Sequence, residues 1–260
     1  MSGRQKTTFL MYHELRIGGR ALASDDPGYV RYVIDESAFR EQMDHIAARE
    51  LKALGVSDWI DGAALDAPVV VITFDDGSET DLIAALPMLR ERGFGATCYL
   101  TVDFLGQRGF LSPAQATELA ASGLEVGCHS MSHAFLSDLD HTGLRREIVE
   151  AKDRLEQICG TRVRSFSCPG GRYDRRVLPL ARAAGYDSVT TSRAVPNSRS
   201  AHPDLLGRVA IVADTPLTQF EALISGRGAG TRQLRDSVLS AAKAVLGNTV
   251  YEKLRARLLG

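Results

Sequence analysis

Two hydrophobic periods alternate along the chain. Short apolar runs at residues 7–13, 68–74, 94–102, 124–128, 163–168, 186–191 and 207–213 are rich in β-branched and aromatic residues and are bounded by Gly, Pro or polar positions, which predicts buried strands. Between them, residues 37–54, 79–92, 112–122, 142–158, 174–184 and 215–225 carry apolar positions at helical spacing, with Ser37, Ser112, Thr142, Asp174 and Thr215 as candidate caps. Repeated strand–helix alternation favours a parallel sheet with helices outside, either a barrel or an open doubly wound sheet. Seven strands favour an α/β barrel that closes imperfectly. No internal repeat or low-complexity segment interrupts the pattern.

Composition narrows the function. At 260 residues, 44% hydrophobic and 24% charged, the chain can bury a full core as one main domain, placed at residues 1–226. A net charge of -1 and the lack of a basic, aromatic-interleaved patch argue against nucleic acid as a partner. Cys98, Cys128, Cys159 and Cys168 show no C-x-x-C spacing, and three lie in strand-like runs as small core residues. No apolar run approaches the ~18 residues of a transmembrane helix, and residues 9–12 are too short for a signal-peptide core. A cytoplasmic protein is the expectation. Residues 227–260 carry seven basic and two acidic side chains with apolar stripes at helical spacing. They are expected to form basic amphipathic helices packed on the barrel or on a partner subunit, or else to touch an anionic membrane surface. No feature specifies an oligomeric state.

In α/β folds of this kind the active site lies at the carboxyl ends of the strands. His13, Asp75, Asp76, His129 and Cys168 all stand at such ends. Successive side chains on a strand point to opposite faces, so Asp75 and Asp76 share a site only if the chain leaves the sheet there, and Gly77 permits that turn. One carboxylate could then hold a metal ion while the other handles a proton. His129 and His133, four apart, would sit on one side of a helical turn and could bind the same ion, with a carboxylate as third ligand. Ser130 has no base and orienter around it, and reads as a capping hydroxyl.

Thr73-Phe74-Asp75-Asp76-Gly77, then His129-Ser130-Met131-Ser132-His133, then Phe166-Ser167-Cys168-Pro169-Gly170-Gly171 resemble the three ordered motifs of the polysaccharide deacetylases, carbohydrate esterase family 4, with the NodB homology fold. The resemblance runs motif by motif over residues 66–192. It implies a distorted (β/α) barrel of seven strands, similar to a TIM barrel, and metal-dependent removal of an acetyl or formyl group from an amino sugar. By the same resemblance, Asp76, His129 and His133 are the metal ligands, the ion is usually zinc, Asp75 is the general base, and the Gly170 N–H faces the oxyanion.

The family's general acid is a histidine in an apolar-Leu-His context on the last barrel strand. Here residues 207–213 run into Ala213-Asp214, and His202 lies in a polar loop. Phe9-Leu10-Met11-Tyr12-His13 has the pattern at the other end of the chain, beside the Thr73–Gly77 strand if the barrel closes. Some members, the exopolysaccharide deacetylases, are similar in being permuted this way, which makes His13 the candidate acid. Other departures concern the third and fourth motifs. Ser167 replaces the arginine that orients the base, so that role would pass to Arg193 or Arg208. Cys168 replaces a proline and Gly170 an aromatic. The tryptophan of the fourth motif is missing, and Trp59 reads as a buried aromatic rather than a permuted equivalent. Residues 14–36 are long for a connection and carry Tyr29, Arg31 and Tyr32, suited to stacking on a sugar ring and reaching an anionic group, although a lid without ligand contacts would look the same. The implied partner is an N-acetylated sugar or oligosaccharide, nucleotide- or lipid-linked. A non-sugar amide hydrolase and a non-catalytic glycan-binding protein are the alternatives.

Overall fold

The computed structural model describes residues 6–63, 67–198 and 203–226. His202 and the 227–260 tail, with its expected amphipathic helices, lie outside the described residues. Among the described residues eleven strands form, in chain order: β1 (Lys6–Tyr12), β2 (Leu15–Arg16), β3 (Ile34–Asp35), β4 (Lys52–Leu54), β5 (Val69–Phe74), β6 (Thr97–Leu100), β7 (Glu125–Cys128), β8 (Ser165–Ser167), β9 (Ser188–Thr190), β10 (Asn197–Ser198) and β11 (Val209–Ala210). Seven of them coincide with the seven expected apolar runs.

The main sheet runs β1-β5-β6-β7-β8-β9 with every neighbour parallel, as strand–helix alternation demands. β1 and β5 pair over five residues, from Thr8↔Val70 to Tyr12↔Phe74. The sheet then curls shut. Leu206 donates to the Val189 carbonyl at 2.8 Å and accepts from the Thr191 N–H at 2.8 Å, while β11 three residues later pairs with β1 at Leu10↔Val209. Residues 206–210 therefore bridge β9 and β1, and closure rests on a short, shared segment. That is the distorted barrel expected from the strand count.

Side-chain alternation sorts the core into two bodies. Leu10, Tyr12, Ile72, Phe74, Cys98, Leu100, Val126 and Cys128 face the helices and join one large apolar cluster. The alternate positions Phe9, Val71 and Tyr99 meet Val56, Trp59 and Leu206 in a smaller cluster. Trp59 packs edge-on against Phe9 at 5.0 Å and donates to Thr7 Oγ1 at 3.0 Å, a core role as expected. Gly127 makes room for this plug: a Cβ there would lie 2.4 Å from the Tyr99 ring. All four cysteines are free and buried. Among the described residues no helix is long and apolar enough to cross a membrane.

Several boundaries differ from expectation for identifiable reasons. The helix expected over 37–54 stops at Ala48, because Glu50 turns left-handed (φ 54°), and the chain re-enters the sheet as β4 beside β5. Ser112 forms a full capping box with Gln115. Asp140 rather than Thr142 caps the next helix. The helix at Glu36 starts at Asp35 without a side-chain cap, and the Thr215 hydroxyl accepts from Val212 instead of capping. Asp174 accepts from the Arg176 N–H ahead of the helix Val177–Ala183. Two helices contain π turns, Asp81–Ala85 and Arg146–Glu150, which the regular apolar period did not indicate.

Candidate active site

The two aspartates after β5 diverge. Asp75 continues the interior face of its strand, and its N–H donates to the Tyr12 carbonyl at 2.9 Å. Asp76 and Gly77 are both left-handed (φ 77° and 81°), so the chain leaves the sheet and turns the second carboxylate sideways. Gly77 does permit the turn, but Asp76 adopts the same uncommon conformation with a side chain.

Arg208 claims Asp75. Its Nη1 donates to Oδ1 at 2.6 Å and its Nη2 to Oδ2 at 2.8 Å, a bidentate pair in which both side chains are almost fully buried. The same guanidinium donates to Ser167 Oγ at 2.8 Å, Thr73 Oγ1 at 3.2 Å and the Thr191 carbonyl at 3.2 Å, and it lies over the Tyr99 ring. Burial alone would raise the Asp75 pKa. The charge of Arg208, joined at acidic pH by protonated His129 and His13, outweighs burial and holds the carboxyl well below the usual carboxylate range. Of the two candidate orienting arginines, Arg208 is the one that reaches Asp75. Arg193 is exposed, and its carbonyl turns back to accept from Val195 at 2.7 Å and packs against Gly207.

Asp76 faces two imidazoles. Its Oδ1 lies 3.6 Å from His129 Nε2 and 3.4 Å from His133 Nε2, and this buried oxygen has no hydrogen-bond partner. His129 Nδ1 lies 2.9 Å from the Ser167 carbonyl, which can only accept, so the proton sits on Nδ1 and the Nε2 lone pair points at Asp76. Burial lowers His129 to about 4, keeping it neutral despite the opposing pull of Asp75. One ligand atom from each of Asp76, His129 and His133 lies within 4.8 Å of the others. An orphaned carboxylate oxygen facing two imidazole nitrogens fits a divalent cation.

The histidine loop is not the helical turn expected from the four-residue spacing. Ser130 and His133 are left-handed (φ 73° and 64°), and Ser130 Oγ accepts from the His133 N–H at 2.9 Å, the capping role expected of it. His133 meets its neighbour because the loop folds back. The rings of His129 and His133 lie 4.9 Å apart, and Phe104 stacks on His133 at 5.8 Å.

His13 stands at the end of β1, beside Asp75 in the parallel register. Its Nδ1 is buried without a partner, and Tyr32 stacks on its ring at 4.7 Å. Burial lowers its pKa, offset in part by Asp76 and Asp75. The 14–36 connection is tied down by contacts within the protein. Glu14 is buried, binds Arg20 and accepts from the Ala23 N–H; Arg20 also binds Glu79, and Asp26 caps the short helix Pro27–Val30. Tyr29 is half-buried, and burial, then Glu14 and Asp76, push its hydroxyl upward. The Arg31 carbonyl accepts from Ala213 at 3.0 Å, tying the loop to the chain after β11. Gly170 lies in the turn Pro169–Gly171 at φ 58°, where a Cβ would sit 2.9 Å from the Phe135 ring, so an aromatic at this position would not fit. Cys168 is buried and pushed up to about 12 by that burial, with no part in ligation.

Residues 62–189 match the family described as polysaccharide deacetylase. The chain belongs to that family. It is 29% identical to the peptidoglycan-N-acetylglucosamine deacetylase of Bacillus cereus over 145 residues, 55% of this chain and 65% of that protein. Among solved structures, the Streptococcus pyogenes deacetylase PplD in complex with acetate superposes with a TM-score of 0.73 at 20% identity, covering 85% of this chain and 98% of that one. IcaB from Ammonifex degensii gives a TM-score of 0.71 at 23% identity, covering 86% and 97%. These two share the fold. The chain spans between about half and two thirds of the length of the first curated relatives it matches. Within the family's pattern it keeps the first two motifs intact, and it pairs Asp75 with Arg208 from the segment that closes the barrel.

Sequence reasoning missed Glu147, Glu14 and Phe104, which hold or line the site from outside its motifs. Glu14 follows His13 directly and Phe104 lies four residues beyond β6, so both positions at strand ends were a signal that could have found them.

Proposed function

We propose that this chain hydrolyses the N-acetyl group of an amino sugar in a glycan or glycan precursor. The carrying observation is the division between the adjacent aspartates: Asp75 is saturated by Arg208, while Asp76 leaves a buried oxygen open toward His129 and His133. Asp76, His129 and His133 would hold a divalent ion, with zinc the first candidate for two nitrogens and one oxygen. When bound, such an ion supplies a Lewis acid and a water acidified toward a pKa of about 7. Asp75, ionised throughout the working range, takes the proton of the attacking water, and Arg208 keeps its carboxylate aimed and charged. The Gly170 N–H is assigned to the developing oxyanion. His13 delivers the proton that the leaving amine needs, its ring backed by Tyr32. Tyr29, Arg31 and Tyr32 form the substrate side of the cleft.

Acetate release from N-acetylated sugars, sugar nucleotides and oligosaccharides by zinc-loaded protein tests this reading, with Asp75→Asn as the matched control. Release that disappears in the control supports it. A panel without turnover by metal-bound protein would overturn it in favour of a non-sugar amide or a binding role.

A further inference from the structure

Backbone groups in the 130–133 loop cannot pair as in a helix or strand, because Ser130 and His133 are left-handed. Two of its carbonyls are taken by the loop after β6: Val102 donates to the Ser130 carbonyl at 3.2 Å and Asp103 to the Met131 carbonyl at 2.8 Å. Two of its N–H groups go to one distant carboxylate. Glu147 Oε2 accepts from Met131 at 3.0 Å and from Ser132 at 2.8 Å, while Oε1 accepts from the Ser132 hydroxyl at 2.7 Å. Glu147 is 2% exposed and lies in the π turn Arg146–Glu150, where an inserted residue re-aims the side chains of the helix behind the loop.

We infer that Glu147 is a positioning residue for metal binding: its carboxylate folds the 130–133 loop so that His133 Nε2 meets Asp76. This rests on the metal reading above. It adds that the geometry of the Asp76–His129–His133 group is set by a residue that touches none of the three side chains' ligand atoms. His129 is held independently by the Ser167 carbonyl, so the dependence falls on His133. A glutamine can reproduce the contacts, its amide oxygen accepting both N–H groups and its NH2 donating to the Ser132 hydroxyl. Alanine cannot, and aspartate is one methylene too short.

The test is Co2+ affinity and absorption spectrum for wild type, Glu147→Ala and Glu147→Gln, with amide hydrogen exchange of residues 131–133 in the metal-free proteins. Glu147→Ala should weaken Co2+ binding about 10–100-fold and change the spectrum, as loss of supporting partners does. It should also speed exchange at Met131 and Ser132, while Glu147→Gln stays within about threefold of wild type in affinity. Should the alanine variant not fold, Glu147→Asp takes its place with the same expected losses. Wild-type affinity and exchange in the alanine or aspartate variant would overturn the inference, as would a glutamine variant as impaired as alanine. Failure of wild type to bind Co2+ would instead overturn the metal reading, and the exchange data would still decide whether Glu147 orders the loop.

Discussion

Replacing Arg208 with methionine isolates the ion pair that keeps Asp75 charged. The change removes two donors from Asp75 and one each from Ser167, Thr73 and Thr191, while the methionine can fill part of the vacated volume. What remains is a buried carboxylate without its counter-charge. Removing one member of a buried pair costs about 3–5 kcal/mol. For a domain near 200 residues each kcal/mol moves the melting midpoint by about 2–4 °C, so a fall of roughly 6–20 °C is expected. Burial, no longer opposed by Arg208, should then raise the Asp75 pKa. The acidic limb of the kcat/KM–pH profile therefore moves upward. A double-mutant cycle with Asp75→Asn separates this from general damage: the double variant should lose less than the sum of the singles by ~2 kcal/mol or more. An Arg208→Met protein with an unmoved acidic limb, or a cycle additive within about 0.5 kcal/mol, would refute the assignment.

Two pH-dependent predictions have opposite signs. His129, lowered to about 4 from an unfolded value near 6.5, binds fewer protons folded than unfolded between those limits, so metal-free protein loses stability as pH falls through that window, by on the order of 3 kcal/mol. Urea midpoints from pH 7 to 4 read this; His129→Gln should flatten the curve, and a loss unchanged in that variant contradicts the assignment. Asp81 is fully buried with neither oxygen hydrogen-bonded, and burial, followed by Asp76 and Glu14, raises its pKa. Its folded form holds the proton more tightly than the unfolded chain, so stability is lost as pH rises above about 3.8. Asp81→Asn should therefore melt higher than wild type at pH 8 and converge with it near pH 4; a constant offset at every pH argues against a raised Asp81.

The strand framework was legible because alternation and periodicity are local. β4 escaped because three residues after a helix continue its apolar period, and only the left-handed Glu50 and pairing with β5 separate them. The grouping of Asp76, His129 and His133, and the place of His13 beside Asp75, were legible from motifs at strand ends. The choice between Arg193 and Arg208 was also encoded, since Val209 and Ile211 belong to the helix-facing core and alternation turns Arg208 inward. The conformations of Asp76, Ser130 and His133 were not, because non-glycine residues seldom signal a positive φ. Glu147 lies 14 residues beyond His133 inside a regular apolar pattern, and only the π turn reveals where it aims.

The segment that shuts the barrel also carries Arg208, so one late stretch of chain completes both the sheet's closure and the Asp75 ion pair. During synthesis Asp75, both histidines of the loop and His13 emerge long before residues 206–210 do. Until those residues dock, Asp75 lacks its bidentate partner, and closing the barrel around it would bury an unpaired carboxylate. Closure of the sheet and pairing of Asp75 thus depend on the same few residues.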